Sequence, residues 1–279
     1  MPLKLNVKDI VGRKGGEKLV MLTAYDAATS SLVDQDGVDI ILVGDSLGNV
    51  ALGYESTVPV SMEEMLHHAA AVRRASSSFI VADMPFMSYQ VDISKAICNS
   101  GRFLKEAGSD AVKIEGGADF AGTVKSVVQA GVPVMGHIGL TPQTASQLGG
   151  YKVQGRDAES ARKLMRDARA LEEAGAFAIV LECVPDSLAR YLTGTVSIPT
   201  IGIGAGPDCD GQVLVSNDLL GLSGKTVPRF VKQYACLGKE AKDAVDCFIN
   251  EVREGTFPAG ENSFSLPVDV KSLLTEEKE

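Results

Sequence analysis

Residues 39–46 read D-I-I-L-V-G-D-S. Ile40, Ile41, Leu42 and Val43 form a run too short for a helix and too apolar for a strand with one face in water. It reads as a strand of a parallel sheet covered on both sides. Gly44 then turns the backbone and offers Asp45 and Ser46 at the strand's C-terminal end. In parallel α/β architectures ligands bind at that end.

Working outward, comparable strands are predicted at Lys18–Thr23, at Phe79–Ala82 ending on Asp83, at A-V-K-I-E-G-G from Ala111, at P-V-M-G-H-I-G from Pro133, at F-A-I-V-L-E-C-V from Phe177 and at P-T-I-G-I-G-A-G from Pro199. An eighth is expected at Gln212–Val215. Helical patterns fall between them: one ending at Leu32, one starting at a Ser61/Glu64 capping box and running to Ala75, then Ile93–Ala107, Asp119–Gln129, Glu159–Glu173 and Pro185–Leu192. Strand and helix alternate almost without exception, the signature of parallel βαβ units. An internal echo strengthens it. E-A-G-S-D-A-V-K-I-E (106–115) and E-A-G-A-F-A-I-V-L-E (173–182) each give a helix end, a glycine, a buried strand and then a glutamate. Eight such units predict an α/β fold of the (β/α)8, or TIM, barrel kind in a single domain spanning 1–279. A helical region is expected over about 229–255, followed by a tail. The Gly-rich run from Ile201 to Pro207 lacks phosphate-loop spacing and reads as a close-packed strand end. The long, polar connection Leu47–Val60 is a candidate lid.

Composition narrows the function classes. A net charge of -9 over 279 residues argues against nucleic acid or an anionic membrane as partner. Five cysteines, widely spaced and odd in number, match neither a disulfide framework nor a metal-ligand spacing. No apolar run approaches a membrane span, and the first residues carry no signal core. The expectation is a cytoplasmic protein.

Several strands end in reactive side chains: Asp45 with Ser46, Asp83, Lys113 with Glu115, His137 and Glu182. Singly, each has a plainer explanation. An aspartate after a strand often caps the next helix. Lys113 and Glu115, two apart on one face, suit a private ion pair. His137 suits a hydrogen-bonded rim histidine, and His67 and His68 sit mid-helix. A barrel, however, brings all strand ends to one rim, where four acids and one lysine would repel unless a cation sat among them. Asp45, Asp83 and Glu115 are hard oxygen donors, and no Cys/His cluster is present to select zinc. Mg2+ fits this donor set and keeps coordination positions for a chelating anion. A 2-oxo acid would chelate it through carboxylate and keto oxygens, so that loss of a C3 proton gives a Mg-stabilised enolate. Glu182 is the carboxylate left over to take that proton.

The runs V-G-D-S-L-G, L-G-Y-E-S-T, V-A-D-M-P-F, S-G-R-F-L-K-E-A-G, V-K-I-E-G-G, G-H-I-G-L-T-P-Q, L-G-G-Y-K-V-Q-G-R and I-G-I-G-A-G-P-x-C-D-G-Q together resemble the ketopantoate hydroxymethyltransferases from Lys4 to about Phe264. The resemblance implies a barrel of the phosphoenolpyruvate/pyruvate type assembled as a homodecamer. It implies transfer of a one-carbon unit from 5,10-methylenetetrahydrofolate to 3-methyl-2-oxobutanoate, on the route to pantothenate and coenzyme A. Carried over by motif, Asp45 and Asp83 bind Mg2+, and Glu115 is the third metal-site acid, directly or through water. Asp45, Ser46, Asp83 and Lys113 form the oxo acid's binding set, and Glu182 is the catalytic base. His137 is given a supporting role. The chain reads Asn217-Asp218 where the family tends to read His-Asp. Folate enters through the resemblance alone. Two other readings are a Mg2+-dependent carbon–carbon lyase of the isocitrate lyase type, whose K-K-C-G-H-like loop is missing from this sequence, and a non-catalytic barrel.

Overall fold

The computed structural model describes residues 4–222 and 227–267. Eight parallel strands close into a barrel in chain order: β1 (Leu19–Thr23), β2 (Ile40–Val43), β3 (Phe79–Asp83), β4 (Ala111–Glu115), β5 (Val134–Gly139), β6 (Ala178–Glu182), β7 (Thr200–Ile203) and β8 (Gly211–Leu214). β8 returns to β1 through pairs such as Met21–Val213, so no strand edge is left open. Helices α1 (Val7–Val11), α2 (Ala27–Val33), α3 (Leu47–Val50), α4 (Met62–Ala75), α5 (Ile93–Lys105), α6 (Ala121–Gln129), α7 (Ala158–Glu173), α8 (Asp186–Thr195) and α9 (Ser216–Leu219) accompany the strands. The chain divides into two compact units, 1–219 with 227–232, and 220–226 with 233–279.

Local chemistry sets the helix ends. Ser61 Oγ accepts the Glu64 amide at 3.2 Å, and Glu64 Oε2 accepts the Ser61 amide at 2.7 Å, the capping box expected for α4. After α5, Gly108 takes a φ of +70°, and the Ser109 amide folds back to the Phe103 carbonyl at 3.0 Å.

The alternation of strand side chains separates two apolar clusters. One takes Met21, Leu42, Val81, Met135 and Val180 with Ile10 of α1, against which Val7 and Val11 of the same helix also pack; it is the barrel interior, closed at the strands' N-terminal ends by α1. The other takes Ile41, Ile80, Val112, Val134 and Ile179 with helix residues such as Phe103 and Leu171; it is the layer between wall and helices. Packing there is close. A Cβ at Gly136 would lie 2.7 Å from Leu171 Cδ1, so glycine is what lets α7 rest on β5. Asp210 latches the N-terminal mouth, accepting from Lys14 Nζ (2.9 Å) and from the amides of Gly15 (2.9 Å) and Thr200 (2.8 Å).

Helix ends differ from the sequence reading by up to three residues, as where α8 runs on to Thr195 rather than Leu192, and the C-terminal helix and β8 are also shifted. β8 runs 211–214 rather than 212–215. The C-terminal helix, α10 (Leu237–Glu254), starts eight residues later than the expected 229. Residues 227–232 belong to the barrel unit, where Phe230 covers Gly204: a Cβ there would come within 2.8 Å of its ring. The connection 47–60 is folded on itself through α3 and the Tyr54 amide bond to the Gly48 carbonyl at 2.7 Å. In the second unit α10 ends at Gly255 (φ +74°), and Phe248 meets Phe257 edge to face at 5.4 Å. All five cysteines are free, and no helix among the described residues is long and apolar enough to cross a membrane.

Candidate active site

The interior rows of the barrel are apolar until their last residues. Thr23, Asp83, Lys113, Glu115, His137 and Glu182 continue those rows, and the register sets Asp83 beside Lys113 and Glu115 beside His137. Asp83, Lys113, Glu115 and His137 are all 4% exposed or less, and the Glu182 side chain is 16% exposed. Gly44 leads the chain out of β2 in close quarters. A Cβ there would stand 3.0 Å from Ser46 Oγ and 3.4 Å from Asp83 Oδ2. The turn brings the Asp45 amide onto Asp83 Oδ2 at 2.9 Å.

Each of three carboxylates has one oxygen engaged by a protein amide. Asp83 Oδ2 accepts the Asp45 N–H, Asp45 Oδ2 accepts Gln143 Nε2 at 2.8 Å, and Glu115 Oε2 accepts the Gln143 backbone N–H at 3.1 Å. The opposite oxygens are less committed. Asp45 Oδ1 has no hydrogen bond among the described residues. Asp83 Oδ1 is 3.2 Å from Lys113 Nζ but misaligned, a buried oxygen without a hydrogen bond. Glu115 Oε1 lies 3.9 Å from Lys113 Nζ and 3.4 Å from His137 Nδ1. Lys113 Nζ and His137 Nδ1 lie 2.9 Å apart, within hydrogen-bond distance. Nε2 faces Glu182 Oε2 at 3.2 Å, within ion-pair range though not aligned as a hydrogen bond. Ser46 stands apart from the acids, its Oγ 2.8 Å from Tyr25 Oη.

Electrostatics follow from burying four acids with two bases. Burial first, then Asp83 and Glu115, hold the Asp45 carboxyl well above its usual range. Burial also raises Asp83, against the pull of Lys113 and the Asp45 amide. Glu115 goes the other way: burial would raise it, but His137, Lys113 and the Gln143 amide hold it low. Burial alone would depress Lys113, yet Asp83, Glu115, Asp45 and Glu182 keep it above the ordinary lysine value. For His137, burial and the Lys113 charge push down, while Glu115 and Glu182 prevail and lift it to about 9.

The donor set fits Mg2+. Its oxygens are hard, acids outnumber bases, and Asp83 Oδ1 is a buried oxygen still lacking a hydrogen-bond partner. Among the described residues no three His, Cys, Asp or Glu side chains form a preformed cage. Mg2+ does not need one, because it is held by one or two carboxylates and completes its shell with water and substrate.

The family pattern described as ketopantoate hydroxymethyltransferase matches residues 4–260. The chain belongs to this family. Two ketopantoate hydroxymethyltransferase relatives, each named 3-methyl-2-oxobutanoate hydroxymethyltransferase, illustrate the match. The one from Desulfotalea psychrophila is 56% identical over 98% of this chain and 99% of its own length. The one from Moorella thermoacetica is 57% identical over 90% of this chain and 94% of its own. Among solved structures, a phosphoenolpyruvate phosphomutase from Streptomyces platensis subsp. rosaceus superposes with a TM-score of 0.60 at 16% identity, covering 98% of this chain and 96% of that one. A 2,3-dimethylmalate lyase of the PEP mutase/isocitrate lyase superfamily gives 0.57 at 14%, covering 98% and 99%. These likenesses are of fold: the ketopantoate hydroxymethyltransferase chain and both structures share the barrel architecture.

Of the residues singled out in the sequence, Asp45, Asp83, Lys113, Glu115 and Glu182 lie on one rim, and Ser46 follows Asp45 on the same loop. His137 is more central than its supporting role suggested, touching Lys113, Glu115 and Glu182. Sequence reasoning missed Tyr25 and Gln143. Gln143 closes the family run G-H-I-G-L-T-P-Q, and Pro142 at the head of its turn was the available signal. Tyr25 ends the first strand run, and only the fold reveals its contact with Ser46. A cavity of about 220 Å³ adjoins Glu115, with Gln90, Phe120, Thr141, Gln147 and Lys163 in its wall.

Proposed function

We propose that this protein transfers a one-carbon unit from 5,10-methylenetetrahydrofolate to 3-methyl-2-oxobutanoate, giving 2-dehydropantoate, the first step toward pantothenate. The observation that carries the reading is Glu182, held at 3.2 Å from His137 on the same rim as Asp45, Asp83 and Glu115, in a chain of this family. Mg2+ at Asp45 and Asp83, with Glu115 as third acid, would supply the positive charge that polarises the keto oxygen and stabilises negative charge there. Lys113 offers its ammonium to the oxo acid's carboxylate side, and the Ser46 hydroxyl, oriented by Tyr25, offers a hydrogen bond. Glu182 takes the proton from C3, with the His137 ring 3.2 Å from that carboxylate, within ion-pair range. C3 then bonds to the folate-derived one-carbon unit, water supplies the hydroxyl oxygen, and tetrahydrofolate leaves with the proton from Glu182 and the remaining water proton on its nitrogens.

The same reading carries one barrel domain with a C-terminal helical region, a homodecamer of the 29.3 kDa chain and a cytoplasmic location. Light scattering after gel filtration tests the decamer. Turnover is tested by NMR of the oxo acid with the folate donor, with Mg2+ or EDTA. The expected product is 2-dehydropantoate formed only with Mg2+; a protein that binds the oxo acid with Mg2+ but never turns over would instead support a non-catalytic barrel.

A further inference from the structure

Gln143 sits in the 3-10 turn Pro142–Thr144, just after β5, and is buried. The turn is fixed to the rim from below. Gly139 takes a φ of +99°, and the Leu140 amide donates to the Glu182 carbonyl at 2.8 Å. From there Gln143 reaches two acids with separate groups: its backbone N–H meets Glu115 Oε2, and its Nε2 meets Asp45 Oδ2 and the Met84 carbonyl, the latter at 2.9 Å. Its Oε1 is 3.0 Å from Tyr89 Oη and 3.4 Å from Gln90 Nε2. Turning the amide over would aim Oε1 at a carboxylate and a carbonyl, two acceptors with no proton to share. The environment therefore fixes which end is nitrogen.

We propose that Gln143 is a positioning residue that orients Asp45 and Glu115 toward a divalent cation. It holds Asp45 Oδ2 and Glu115 Oε2, so that Asp45 Oδ1 and Glu115 Oε1 remain turned to the ligand side. An amide suits this task. Lysine or arginine there would compete with the metal for the acids, and glutamate would add another negative charge against Asp45. Tyr89 sets the amide: its hydroxyl is within hydrogen-bond distance of both Gln143 Oε1 and the Glu115 carbonyl, the latter at 2.9 Å. Such outer contacts typically change metal affinity 10- to 100-fold when removed.

The inference rests on the metal reading above, and its test separates the two. Mn2+ stands in for Mg2+, and its binding is followed by EPR on the full-length protein beside thermal unfolding. Gln143→Ala and the bulkier Gln143→Met should each weaken Mn2+ binding roughly 10- to 100-fold. Tyr89→Phe, which frees the amide without removing it, should fall between native and Gln143→Ala. A Gln143 that serves only as a strut would lower the melting temperature and leave the Mn2+ affinity alone. Affinity within about twofold of native in Gln143→Met, while Asp45→Asn abolishes binding, overturns the role assigned to Gln143 and leaves the metal site standing. Native protein that binds no Mn2+ overturns both.

Discussion

Replacing Lys113 by Met removes the ammonium that faces the acid cluster while keeping most of the side chain's volume. Its Nζ is 3.2 Å from Asp83 Oδ1 and 3.9 Å from Glu115 Oε1, with both partners about 95% buried. At an effective dielectric of about 20 those separations correspond to Coulomb terms of roughly 5 and 4 kcal/mol. Part is returned because Met has no charge to desolvate, and breaking a buried pair from one side typically costs about 3–5 kcal/mol. For a chain of this size that is a fall in melting temperature of roughly 6–20 °C. The sign with pH follows from Asp45 and Asp83, whose carboxyls burial already holds above their usual range. A raised acid binds its proton more tightly in the folded state, so its folded form loses stability as pH rises. The Lys113→Met deficit should therefore be larger at pH 8 than at pH 5. Urea unfolding at both values measures it, together with Asp83→Asn and the double variant. The double should recover part of the loss, because one unpaired acid has been neutralised. Lys113→Met as stable as native at pH 8, or single-variant losses that simply add within about 0.5 kcal/mol, would refute the argument.

Gly139→Ala should fold poorly or lose activity about 100-fold, since its φ is +99° and the new Cβ would lie 2.2 Å from the Glu182 carbonyl oxygen; soluble yield and turnover report it. Asp210 governs acid stability. Burial would raise its carboxyl, but Lys14 and the amides of Thr200 and Gly15 hold it below its usual value. Its contribution is thus present above the unfolded-state value of about 4 and lost as pH falls through the lower folded-state value. Asp210→Asn should cost about 1–3 kcal/mol at pH 7 and show a shallower acid decline than native in urea midpoints between pH 2 and 6.

The barrel was legible because β2 is an apolar run that a one-sided sheet would not tolerate, followed by a turn and an acid, while β4 and β6 are buried strands that themselves end on Glu115 and Glu182. The parity of Lys113 and Glu115 gave a shared face, and the fold confirms it as the interior face. The shorter and more polar β8 blurred by one residue, since Gln212 breaks its apolar run. Phe230 continued a helical pattern in the sequence, yet it is engaged by Gly204, a contact between positions too far apart for periodicity to encode. The acids were visible because charged residues at strand ends are costly to bury. Gln143 was not, because an uncharged amide in a loop gains importance only from its partners. His137 was underestimated for a related reason: its pairing beside Glu115 depends on strand register, which the sequence does not state.

The proposed chemistry requires Glu182 to remove the C3 proton at a Mg2+-dependent site. Deuterium exchange at C3 of 3-methyl-2-oxobutanoate in deuterated water, with tetrahydrofolate present so that donor-side binding is satisfied and no carbon is transferred, tests this directly. The native protein should exchange the proton with Mg2+ and not with EDTA. Glu182→Gln should lose exchange by roughly 10²- to 10⁴-fold while still binding the oxo acid. Undiminished exchange in Glu182→Gln, or exchange indifferent to EDTA, would contradict the assignment of base and metal.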